Sequence, residues 1–268
     1  MFSVSDLYPC VIFILGLSFG SFINAFVWRL HEKKDWIRGR SECTNCHHIL
    51  SSLDLLPVLS WLTLRGKCRY CKHKISIQYP LIEIVTSVLF LGSYLLWPEL
   101  ITGHNIVIFI LWLVLLIGLI ALALYDIKWM ILPTKIIYFL YIPALLIMII
   151  NVLFTKNSLV LLLIYFISSL IGGGIFYLLF YISKGKWIGG GDVRLGFLLG
   201  LLATTPSRSF LLIFLASVIG TIVSIGLLTR GKMKRNSLIP FGPFLIAGLV
   251  IVQFAGSDII QWYSRTLI

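Results

Sequence analysis

A run of about 20 apolar residues is long enough to cross a bilayer as a helix, and this chain is built almost entirely from such runs. They fall at residues 7–30, 81–97, 105–125, 134–154, 159–182, 187–205, 210–229 and 238–254. Of 268 residues, 59% are hydrophobic and only 12% charged, too few to coat a soluble globule. The pattern predicts an all-α membrane protein with about eight transmembrane helices and one small polar loop domain. The polar stretch at 31–79 is the only segment large enough for that domain. The expected organisation is a first transmembrane helix at 1–30, a cytoplasmic four-cysteine domain at 31–79, a transmembrane core at 80–257 and a tail at 258–268.

The formal net charge of +12 could point to nucleic acid, but the basic residues cluster between apolar runs rather than along one face. That distribution sets membrane orientation and excludes a nucleic-acid partner. Lys33, Lys34, Arg38, Arg40, Arg65, Lys67, Arg69, Lys72 and Lys74 place segment 31–79 in the cytoplasm and the amino terminus outside. Counting spans forward also puts Lys128 and Lys135, Lys184 and Lys186, and Arg230, Lys232, Lys234 and Arg235 inside. Only Lys156, Arg208 and Arg265 fall outside. Basic residues follow the first apolar run instead of preceding it, the reverse of a secretory signal, so it is expected to stay as an anchor. The weakest span is 187–205, which opens with three glycines and an aspartate. A helix starting at Val193 would rise only roughly 20 Å there, yet a re-entrant path would move the 230–235 basic cluster outside, and charge favours a full crossing.

Cys43, Cys46, Cys68 and Cys71 form two C-x-x-C pairs separated by 21 residues, close to the spacing of a four-cysteine zinc site. Each pair makes a turn that aims two thiolates at one point. A closed four-thiolate shell leaves no position for water, so the metal would be structural, supplying folding free energy that a short polar segment lacks. Two disulfides are the alternative, disfavoured in a reducing cytoplasm, and iron is another occupant. His47, His48 and His73 are expected to be solvated, because four cysteines already complete the shell.

Among only ten acidic residues, Glu83, Asp126 and Asp192 lie within or against apolar spans, where ionisable groups are functional candidates. Asp126 closes the third span and Asp192 opens the sixth, both at the inner face. Two neighbouring carboxylates share a proton, one serving as base toward water and the other as acid toward a scissile carbonyl. The alternatives are a helix cap at Asp192, a simple helix end at Asp126, or a transporter's proton relay. The sequence Gly189, Gly190, Gly191, Asp192 favours proteolysis, since glycines let an extended substrate backbone approach the acid. Gly172 to Gly174, and the G-x-x-x-G pair of Gly16 and Gly20, are expected to serve helix packing instead.

On these residues the chain resembles the prepilin peptidases, or type 4 leader peptidases, of the G-x-G-D intramembrane aspartic protease family. The resemblance runs through Gly20, Ser21, Phe22, Asn24 and Arg29; Leu59, Ser60 and Trp61; residues 65–68 with Cys71; and Ile75, Ser76, Tyr79, Pro80 and Glu83. It continues through Asp126, Ile127, Leu132 and Pro133, residues 189–192 with Leu195, and residues 240–243. It departs at Arg194, where relatives usually carry lysine. It implies a multi-pass protein of the bacterial cytoplasmic (inner) membrane that cleaves prepilin or pseudopilin substrates after a glycine ending a basic leader. It further implies N-methylation of the new amino terminus from S-adenosylmethionine, with Glu83 a candidate substrate-binding residue, although no glycine-rich nucleoside fingerprint is present. An ion-coupled transporter would show inverted repeats or midplane broken helices. A noncatalytic assembly scaffold would not need both aspartates.

Overall fold

The computed structural model describes residues 4–35, 39–231 and 238–267. Arg38, Lys232, Lys234 and Arg235, used above to orient the chain, lie outside the described residues. The described residues form nine α-helices, with two isolated antiparallel bridges as the only β structure. The chain divides into two compact units at Glu99 and Leu100, so the helix after the cysteine segment groups with the first helix rather than with those that follow.

In the first unit α1 (Val4–His31) packs along α3 (Gln78–Leu95). Glycine makes this possible: a Cβ at Gly20 would lie 2.5 Å from the Glu83 Cα, and one at Gly16 would collide with the Ser87 backbone. The G-x-x-x-G pair therefore does what its spacing predicts, bringing two backbones together. The buried Asn24 amide is fully used at this contact. Its Nδ2 donates to the Gly20 and Tyr79 carbonyls at 3.2 and 3.1 Å, and its Oδ1 accepts from Gln78 Nε2 at 3.2 Å. Between the helices lie the cysteine turns, a 3₁₀ turn at Ser52–Leu55 and the short α2 (Leu59–Thr63).

The second unit contains α4 (His104–Trp129), α5 (Thr134–Leu153), α6 (Ser158–Ser183), α7 (Gly190–Ala203), α8 (Pro206–Thr229) and α9 (Gly242–Leu267). Its centre is α7, which touches α5, α6, α8 and α9 and fully buries Leu195, Leu198 and Leu199. Glycine again sets the approach. A Cβ at Gly200 would lie 2.5 Å from the Ser168 carbonyl oxygen, and one at Gly172 would lie 2.6 Å from Gly196 O and Gly200 Cα. The Ser169 hydroxyl donates to the Phe197 carbonyl at 2.9 Å, and Ser209 to that of Ser168 at 3.0 Å. Gly172 and Gly173 thus pack against α7 as expected, whereas nothing lies within 4 Å of a Cβ at Gly174.

Six of the described helices have the length and hydropathy of a membrane span. The two expected spans outside that set are α3 and α7. The 18-residue α3 opens on Gln78, Tyr79 and Pro80 and carries Glu83, while the 14 residues of α7 rise only about 21 Å. A helix surrounded by protein need not match the hydrocarbon thickness, which explains how α7 can be short. It starts at Gly190 rather than Val193 because Gly189, extended at ψ 147°, takes the N-cap position. The helix expected at 238–254 begins later and ends later. Pro240 and Pro243 bar helix before Gly242, and α9 continues to Leu267, absorbing the expected tail. Arg208 Nη2 ties its distal half down by donating to Ser257 Oγ at 2.6 Å.

A backbone carbonyl cannot yield as a side chain can, so Gly200→Ala should destabilise the α6–α7 pair by about 1–3 kcal/mol. Thermal unfolding in detergent should show a midpoint several degrees lower for this variant and unchanged for Gly174→Ala.

Candidate active site and metal centre

The two C-x-x-C turns are near copies of each other. Each sits inside one of the bridges, Glu42 with Ile49 and Lys67 with Lys74. In each, the first cysteine amide donates to the carbonyl five residues on: Cys43 to His48 at 3.0 Å and Cys68 to His73 at 2.8 Å. In each, the residue after the second cysteine adopts a left-handed conformation, φ 55° at His47 and 59° at Lys72. Repetition of one turn brings all four sulfurs within 4.8 Å of one another, with Cys43 Sγ and Cys71 Sγ 3.8 Å apart. A tetrahedron with metal–sulfur bonds of about 2.3 Å has edges of about 3.8 Å. The donor set fits a tetrahedral thiolate metal, and all four cysteines are free thiols.

Thiols so crowded cannot all ionise without a cation. The His73 backbone amide draws Cys71 down to about 6. The His48 amide favours the Cys46 thiolate too, but desolvation and the neighbouring Cys71 and Cys43 outweigh it and send Cys46 up to about 11. His47, His48 and His73 are exposed and outside the sulfur cluster, as expected. Asp54 braces the connector: it accepts from Arg69 Nε at 2.6 Å, Ser51 Oγ at 2.8 Å, Ser51 N at 3.2 Å and Tyr70 Oη at 3.2 Å. Desolvation opposes its charge, yet Arg69 and Ser51 together hold the carboxyl below its ordinary range.

Glu83 also belongs to this first unit. It is buried on α3, and its Oε2 accepts the Val58 amide at 2.7 Å. Val58 holds φ at 62°, an unfavourable value for a β-branched residue, so this hydrogen bond fixes an otherwise costly corner before α2.

Asp126 and Asp192 lie in the second unit. Asp126 is in the last turn of α4, which closes with Met130 in the left-handed region and its amide donating to the Asp126 carbonyl at 2.8 Å. The backbone therefore ends the helix and the side chain is left for something else. Asp126 is buried, and its Oδ2 accepts the Gly242 amide at 3.1 Å from the start of α9, 116 residues away. Asp192 lies in the first turn of α7, its amide donating to the Gly189 carbonyl at 3.1 Å and its carboxylate engaged by the Gly189 backbone.

Leu132, in the α4–α5 connection, is what closes the arrangement. A Cβ at Gly191 would lie 2.9 Å from Leu132 Cβ, and one at Gly242 would lie 3.3 Å from Leu132 Cδ2 and 2.7 Å from Asp126 Oδ2. Gly191 is thus spent on internal packing. A Cβ at Gly190 would meet nothing nearer than 3.9 Å, and one at Gly189 nothing nearer than the Asp192 carboxylate at 3.5 Å, so neither is spent on close packing, with Gly189 exposed and Gly190 half-buried. Arg194 Nη1 donates to Thr134 Oγ1 at 2.9 Å while Tyr141 Oη donates to the Arg194 carbonyl at 3.1 Å, fastening α7 to α5 beside Asp192. Sequence reasoning missed the part played by Gly242 and Leu132. Both stand in segments that carry the family resemblance, but no spacing rule connects position 242 to position 126.

Residues 14–97 match the bacterial peptidase A24 N-terminal domain, and residues 113–225 match the type IV leader peptidase family. A prepilin leader peptidase/N-methyltransferase of Pseudomonas putida is 32% identical over 264 residues, covering 89% of this chain and 88% of the relative. One of Burkholderia pseudomallei is 31% identical over 270 residues, covering 91% and 84%. One of Bacillus subtilis is 28% identical over 262 residues, covering 95% and 97%. No solved structure matches.

If the sulfur cluster holds a structural metal, elemental analysis of the purified protein should find about one zinc per chain. Cys68→Ser should release it and lower the unfolding midpoint, whereas Cys10→Ser should do neither. Protein free of both zinc and iron would defeat the assignment.

Proposed function

The chain belongs to the type IV leader peptidase family and is a multi-pass membrane protease, and from this we propose that Asp126 and Asp192 are its catalytic pair. The supporting observation is their placement: two carboxylates from the last turn of α4 and the first turn of α7, linked through Leu132, which lies against both Gly191 beside Asp192 and Gly242, the donor to Asp126. In the reaction one carboxylate takes a proton from water as its oxygen attacks the scissile carbonyl. The other protonates the carbonyl oxygen and, as the C–N bond breaks, a proton passes to the departing amine. Gly189 and Gly190 would lie against an extended substrate backbone, while Gly191 serves through its packing on Leu132.

The substrate in this reading is a prepilin or pseudopilin with a basic leader ending in glycine and then an apolar helix, cut at the cytoplasmic face of the bacterial inner membrane. Glycine at the scissile position favours an extended segment because it resists helix formation. The eight-crossing topology belongs to the same proposal: it puts the carboxyl end of α4 and the amino end of α7 on the inner side. Zinc is the proposed occupant of the four thiolates, as a structural ion only.

Methyl transfer from S-adenosylmethionine rests on the relatives' names. Glu83 is already engaged by Val58, and a Cβ at Gly16, Gly20, Gly39 or Gly66 would meet the protein itself at under 3 Å. These residues do not form a free glycine loop for a nucleoside.

Asp126→Asn and Asp192→Asn should each lower leader cleavage by at least about a thousandfold while leaving insertion intact. Asparagine can still accept the Gly242 amide or cap α7, so a purely structural role would survive either change. Co-expression with a prepilin-like substrate and mass spectrometry of its amino terminus reads the outcome, and substantial cleavage by both well-inserted variants would reject the pair. For topology, cysteines introduced near Lys34, Lys135 and Lys184 should be shielded from an impermeant thiol reagent in intact cells, and one near Lys156 should react. The opposite labelling would invert the orientation.

A further inference from the structure

We propose that Gly242 is a positioning residue for proteolysis: its amide orients the Asp126 carboxylate, and its lack of a side chain is what lets that carboxylate reach its place beside Asp192. This rests on the reading of Asp126 and Asp192 as the catalytic pair. The contact joins α4 to α9 directly. Gly242 opens α9, so its amide is one of the first-turn donors that the helix cannot satisfy internally, and the following Pro243 has no amide to offer instead. Asp126 Oδ2 takes that hydrogen at 3.1 Å. Oδ1 is thereby left as the oxygen free for water or for Asp192.

The space is also committed. A methyl group at position 242 would lie 2.7 Å from Oδ2, closer than real Cβ contacts occur, and 3.3 Å from Leu132 Cδ2. Leu132 in turn lies against Gly191, directly before Asp192. Pushing the Asp126 carboxylate away from Gly242 therefore disturbs the carboxylate and the wedge that fixes its partner at once. A displacement of about 1 Å in a reacting group costs roughly a hundredfold in rate.

The test is leader cleavage by the full-length protein, with kcat and KM measured separately across pH. Gly242→Ala should lower kcat roughly a hundredfold with KM nearly unchanged. It should also displace the kcat profile along the pH axis, because a donor to one carboxylate of the pair is lost. Gly174→Ala and Gly226→Ala, where a Cβ meets nothing within 4 Å, are the controls and should match the parent. A backbone ester at Gly242, made with glycolic acid, removes the hydrogen bond without adding a side chain and separates orientation from crowding should the alanine variant fold poorly. It too should lower kcat and displace the profile. Parental kcat and pH profile in the ester, with Asp126→Asn inactive, overturns the positioning role and leaves the catalytic pair standing. Cleavage by Asp126→Asn overturns the pair itself, and this proposal with it.

Discussion

A carboxylate at the end of an apolar helix must find a donor, because burying it without one costs more than the helix can recover. Asp126 finds its donor in the Gly242 amide, and much of the second unit is arranged around that one contact. It fastens the carboxyl end of α4 to the amino end of α9. Leu132 then fills the angle between Gly242 and Gly191, the residue directly before Asp192. At the other side α7 is held by α6, whose Gly172 and Ser168 backbone lies directly against Gly196 and Gly200. Moving any one of these backbones shifts the pair of carboxylates. In lipid, where apolar surface gives little drive for helices to associate, such close backbone contact is a main source of packing energy.

How much of this was legible in the sequence depends on the range of the signal. Helix identity was legible, since apolar runs report local environment: α5, expected at 134–154, forms at Thr134–Leu153, and α6, expected at 159–182, forms at Ser158–Ser183. Asp126 and Asp192 stood out because acids are rare in such a chain. The G-x-x-x-G pair also reported its own contact, because four-residue spacing is a property of one helix face. What was not legible was anything set by a distant partner. The shortness of α7 was anticipated from its glycines, but not its enclosure by four other helices, nor the run of α9 through polar residues to where Arg208 of α8 reaches Ser257. The division of labour among three adjacent glycines was invisible for the same reason. Only the position of Leu132 separates Gly191, which is packed, from Gly189 and Gly190, which are open.

The cysteine segment shows the same contrast on a smaller scale. Spacing alone indicated two metal-type turns, and both exist, but not their near-identity of hydrogen bonding and of left-handed residues at His47 and Lys72. Two independent loops would have no reason to repeat a conformation that costs free energy at a side-chain-bearing residue. A shared ligand does supply one, because a tetrahedron needs two thiolates presented at the same pitch from each side. The connector is stiffened by Asp54, which gathers Arg69, Ser51 and Tyr70. A domain this small has little apolar core to hold its turns in register, so that carboxylate, and a metal if the thiolates hold one, would stand in for it.

The position of the acids along their helices bears on what they do. A proton relay in a transporter needs ionisable groups near the middle of the bilayer, on helices broken there, so that one site can face either side in turn. Asp126 instead occupies the last turn of the 26-residue α4, and Asp192 the first turn of α7. Helix ends are where a membrane protein can bring backbone amides, carboxylates and water together, and the Gly242 amide already donates to Asp126. A substrate that leaves the bilayer as a helix must also unwind at this level before its peptide bond can be attacked. On the proposed assignment, Gly189 and Gly190, next to Asp192 in sequence, would flank that unwound segment. On the proposed roles of Asp126 and Asp192, placement at helix ends suits hydrolysis better than a relay, which needs its acids on helices broken near the middle of the bilayer.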